Sequence, residues 1–100
     1  MPETIEELSA KLNAETARIT WSELHKPFAR GVVIQVASSL DLIDVASCVA
    51  RDDKATVEAW LQCGQISRLS DEGAQDWHER NPVLWAVVVA PWVLVQERAH

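Results

Sequence analysis

The chain has 100 residues, 48% hydrophobic and 24% charged, which is enough for one globular core and too apolar for a disordered segment. Nine basic against fifteen acidic residues leave a net charge of −6, which argues against nucleic acid and anionic membrane as partners. Three Gly and four Pro exclude a low-complexity chain, while five Trp, one Phe and no Tyr form an unusual aromatic set.

Thr4 with Glu7 makes a capping box, and Ile5, Leu8 and Leu12 follow at helical spacing, predicting a first helix. Thr20 with Glu23 repeats the box, with Trp21, Leu24 and Phe28 on one side. Pro27 lacks an amide proton and crowds the preceding turn, so this second helix is expected to end early. Gly31 opens a β-branched run, and Val32 to Val36 is read as a strand. Ser38 and Ser39 offer an N-cap, with Asp41 and Asp44 in the first turns, where the helix dipole favours anions. Leu42, Ile43, Ala46, Val49 and Ala50 give that helix a broad apolar face as far as about Arg51.

Asp52 or Asp53 caps the next helix, which is expected to turn Val57, Trp60 and Leu61 inward and to end on a left-handed Gly64. Ser70, Asp71 and Glu72 start a further helix that buries Ala74 and Trp77, and Asn81-Pro82 stops it. The uncharged run NPVLWAVVVAPWVLVQ is the strongest strand signal, apolar enough for burial on both faces. It is shorter than the roughly 20 residues of a membrane span and contains Pro91. Ala90-Pro91 is poor chemistry for a two-residue hairpin, which leaves a bent edge strand, a wider turn or a cis-proline turn. The expected architecture is one α+β domain over residues 1–100, its first and last few residues mobile. A short antiparallel sheet, with strands near 32–36 and 84–96, is covered by about four helices.

The order Trp21, Pro27-Phe28-Ala29-Arg30-Gly31, LDLIDVA, Val57, Trp60-Leu61, Gly64, Trp77 and PWVLVQ resembles a small bacterial family, domain of unknown function 2288. The resemblance runs from about Leu8 to Gln96. Ala90 stands where the family pattern has glutamine, and Phe28 where histidine is common, so no polar role transfers to either position. The resemblance implies a single domain and brings no activity, substrate or cofactor.

His25, His78 and His100 have no Cys, His or acidic neighbours at zinc-site spacing, so no metal ligands are assigned. Cys48 and Cys63 belong to no CxxC pair; the first lies mid-helix and the second near the negative end of a helix dipole, so neither position activates a thiol. Both are read as reduced structural thiols. Asp41 and Asp44 are a possible acid–base pair, but helix capping is the simpler account. Gly31, Gly64 and Gly73 are isolated, so no phosphate loop is present, and no G-x-S-x-G elbow exists. No catalytic or cofactor-binding residue is assigned, and no cofactor is expected.

The stretch DVASCVARDDKATVEAWLQCGQISRL, with helices near 42–51 and 54–63, resembles the helix-turn-helix of excisionase and MerR-type DNA readers. Its second helix offers Lys54, Glu58 and Gln62, with Asp52 and Asp53 at the end where a phosphate would dock. Trp21, Trp60 and Trp77 fit core faces, whereas Trp85 and Trp92 fit either full burial or a partner surface. The expected function is a non-enzymatic cytoplasmic protein-interaction domain, with self-association as a homodimer among its options, acting through Trp85 and Trp92. The acidic N-terminus MPETIEEL, which lacks a secretory signal pattern, underlies the cytoplasmic expectation. The alternative is a divergent helix-turn-helix nucleic-acid-binding regulator.

Overall fold

The computed structural model describes residues 7–8, 11–12 and 16–97. Leu8 and Leu12 are helical as expected, and Leu12 is buried in the core; the Thr4 cap, Ile5 and the chain's last three residues lie outside the described residues. The elements then run β1 (Ala17–Ile19), α1 (Trp21–Ala29), β2 (Val33–Val36), α2 (Leu42–Ala50) and α3 (Lys54–Cys63). They continue with β3 (Ile66–Arg68), α4 (Asp71–Arg80), β4 (Leu84–Val89) and β5 (Trp92–Glu97). No described helix is long and apolar enough to cross a membrane.

The five strands form one sheet in the order β1-β4-β5-β2-β3. The sheet is mixed, which corrects the antiparallel expectation: β2 runs parallel to β5, with Ile34 opposite Leu94, while every other neighbouring pair is antiparallel. A parallel pair needs a long crossover, and the chain from α2 to β4 supplies it. The uncharged run folds as the β4–β5 hairpin, with Val89 opposite Trp92 and a cis Ala90–Pro91 bond in the two-residue turn. Both strands lie inside the sheet with helices on either side, which is why their sequence is apolar almost without alternation.

On one face, α2, α3 and Leu12 cover Val36, Val87 and Leu94. On the other, α1 and α4 bring Leu24, Ala74 and Trp77 against Val33, Leu84 and Val95.

Three local details depart from the sequence reading. Helix α1 continues two residues past Pro27, which falls in its last turn, where its carbonyl accepts from Arg30 and Val32. The Thr20 hydroxyl donates to the Glu23 carboxylate at 3.3 Å instead of capping a backbone amide. Asp41, not Ser38 or Ser39, caps α2, accepting from the amide of Ile43 at 2.9 Å. The end of α3 follows expectation: Asp53 caps its start, and Gly64 takes a left-handed φ of 76° at its end.

Candidate functional site

Strand alternation decides where the tryptophans go. On β5, Trp92, Leu94 and Gln96 point toward α2 and α3, while Val93 and Val95 face α1 and α4. On β4, Trp85, Val87 and Val89 share the Trp92 face. Trp85 and Trp92 are both half-buried, but they do not form one patch. Trp85 is opposite Gln96 and Arg18 at one end, and Trp92 opposite Val89 at the other. Between them lie Val87 and Leu94, each only 1% exposed.

Helix α3 makes the Trp92 end unusual. It leaves α2 through a three-residue connection and has no fully buried residue. Val57 and Trp60 are half-covered, and Leu61, expected inward, is 49% exposed, because the helix meets the sheet only along one flank. The space beneath its outer turn is an apolar pocket of about 270 Å³ bounded by Val57, Leu61, Trp92, Leu94 and Arg68. The Arg68 guanidinium lies 5.6 Å from the centre of the Trp92 ring, in range for a cation–π contact. A second cavity of about 320 Å³ adjoins it across Val49, Val57 and Trp92 and is bordered by Asp52, Asp53, Lys54 and Glu58. The hairpin tip beside it exposes Ala90 and Pro91, while Val88, 58% exposed, points with its partner Val93 to the opposite face of the sheet.

The polar candidates are scattered. His25 and His78 flank Trp21 at ring separations of 6.5 and 6.4 Å, and among the described residues no three metal-ligating side chains converge. His100 lies outside the described residues. Cys48 is buried in α2, and burial pushes its thiol pKa up, with the Arg51 charge opposing; Cys63 is exposed at the end of α3. Both thiols are free. Asp41 is occupied as a cap, and Asp44 is exposed in the first turn of α2.

The α2–α3 pair has the boundaries the helix-turn-helix reading expects, and Lys54, Glu58 and Gln62 face solvent. Asp53 is committed to the Thr56 amide and hydroxyl, which places its carboxylate at the helix N-terminus. The sequence reading missed Leu61 and Arg68 as groove residues. Arg68 belongs to a strand of three residues, too short to leave a periodic signal.

Residues 7–97 match the sequence profile of a family described as "Protein of unknown function (DUF2288)". The chain is similar to PA1075 from Pseudomonas aeruginosa, whose solution structure was determined by NMR. The two share 52% identity with a TM-score of 0.83, over 100% of this chain and 93% of that one. No curated protein matches the chain.

Proposed function

Because the chain belongs to the DUF2288 family, whose function is unknown, we propose a role from its own surfaces: a non-enzymatic cytoplasmic protein-interaction domain. It binds through the groove between α3 and the β4–β5 tip. The observation that carries this reading is Trp92. It lines both adjoining cavities, with Leu61 49% exposed on the wall of one and Ala90 exposed on the rim of the other. Exposed apolar side chains gathered around a half-buried tryptophan are the composition of a contact centre.

Trp85 stands at the far end of the same sheet face and is left out of this contact. The cytoplasmic placement is supported by two cysteines left as free thiols. Against the helix-turn-helix reading stand the exposed Glu58 and the carboxylates of Asp52 and Asp53 at the start of α3. They repel the phosphates that supply most nonspecific affinity.

A photo-crosslinking residue placed at Leu61 in living cells tests the reading, with the same residue at Glu72 on α4 as control. The expected result is a discrete protein adduct from position 61 alone, whose purified partner binds the wild-type chain at least tenfold tighter than Leu61→Ser. A second copy of the chain in that adduct would make the partner homotypic. Equal labelling from both positions, or an adduct with nucleic acid, overturns the proposal.

A further inference from the structure

The groove has two chemically different halves, and together they define an occupant. The inner half, under Leu61 and against Trp92 and Leu94, is apolar except for Arg68 at its edge, whose guanidinium lies over the Trp92 ring and which does not border the outer half. The outer half, reached across Val49 and Val57, is bordered by Asp52, Asp53 and Glu58 against the single cation Lys54. Lys54 does little to neutralise them. It reaches Asp52 at 4.0 Å, with the two side chains 78% and 80% exposed, a separation at which water and salt screen the pair. Asp53 accepts from Thr56 and answers the positive end of α3, so that end adds little attraction for an anion.

We infer that the groove takes a short basic–apolar segment of another protein, one large apolar side chain entering beside Trp92 and a nearby lysine or arginine reaching Asp52 and Glu58. This rests on the contact reading above and assigns its partner by chemistry. Charge favours such a segment over a second copy, since each copy carries a net −6 and the same acidic mouth.

Selection of displayed random 12-residue peptides against the immobilised full chain tests the inference. Peptides are re-measured in solution on wild type, Leu61→Ser, and the double variant Asp52→Asn/Glu58→Gln. Asp53 is left in place because it caps α3. The expected consensus pairs an aromatic or large aliphatic residue with Lys or Arg within three positions. Affinity should fall at least tenfold in Leu61→Ser and at least fivefold in the double variant, and should weaken with salt. Peptides that need Leu61 but carry no basic residue, or that ignore the double variant, overturn the inference and leave the groove as a contact site. Peptides indifferent to Leu61, or no selected peptides, overturn both. Circular dichroism of each variant, matched to wild type, ensures that a loss reports binding.

Discussion

The indole Nε1 of Trp77 donates to Oε1 of Glu97 across 3.2 Å, joining the inner face of α4 to the last residue of β5. Trp77 is 1% exposed, so its polar edge needs this partner. Arg80 closes the arrangement from outside, donating to both Glu97 oxygens at 3.0 and 2.7 Å and to both Asp76 oxygens at 2.8 and 2.6 Å. One carboxylate thus holds a helix and a central strand together over the face that carries α1 and α4.

Glu97→Gln should lower stability at pH 7 by about 1 kcal/mol, since it removes the charge from a partly exposed brace while keeping its shape. The Arg80 hydrogen bonds hold the Glu97 carboxyl below the usual glutamate range. A carboxyl depressed in the folded state contributes fully above its unfolded pKa, and the contribution is lost as pH falls through the folded value. The gap between wild type and variant should therefore be widest near pH 7 and close below about pH 4. Urea titrations at several pH values measure it, and a gap that stays constant with pH contradicts the assignment.

Gln96, opposite Trp85 on the other sheet face, is 2% exposed and spends both amide hydrogens on the turn before α2. It donates to the carbonyls of Ala37 at 2.8 Å and Leu40 at 2.6 Å. Gln96→Leu should cost about 1–2 kcal/mol by taking that donor from two half-buried carbonyls, of which Ala37 keeps the Leu40 amide. Gln96→Glu should be worse at neutral pH, because it turns a carboxylate toward two carbonyl oxygens in a site with almost no water. Denaturant midpoints ordered wild type, Leu, Glu meet the expectation; Glu at or above Leu contradicts it.

Much of this frame is legible in the sequence, and the exceptions share a cause. Asp53, Gly64, Ser70 and Asn81 mark helix ends through chemistry confined to a turn, and each stands where the sequence puts it. Strands β1 and β3 are three residues long and sit at sheet edges, where pairing with β4 and β2 supplies what local pattern cannot. The parallel β2–β5 pair joins residues sixty positions apart, beyond anything local propensity reports. Pro27 is tolerated because Leu24, fully buried, anchors its helix from the tertiary side. The groove is half legible in the sequence: Trp92 stands in a run too apolar for a half-exposed strand, while Leu61 reads as core because helical spacing gives a direction without saying how far a neighbour extends over it.

Gly64→Ala isolates a backbone effect. A Cβ built at this position meets nothing within 4 Å, so crowding contributes nothing to the outcome. The penalty comes from the left-handed φ of 76°, which an L side chain disfavours by about 1 kcal/mol. Gly64→Asn should lose less, because asparagine tolerates that region. Equal stability of the three proteins would mean that α3 does not end as described.

Leu61 and Leu42 are both leucines on helices over the same sheet face, but one is 49% exposed and the other 0%. Leu42→Ala should cost about 2–5 kcal/mol, the range for opening a cavity in a packed core. Leu61→Ser gives up only part of a leucine's burial and a few tenths of helix propensity, so its cost should stay near 1 kcal/mol or below. Urea unfolding of the two variants gives this ratio directly. A Leu61→Ser penalty close to that of Leu42→Ala would make the groove wall part of the core, and lost binding would then follow from lost structure. A small penalty leaves a folded chain whose contact surface alone has changed.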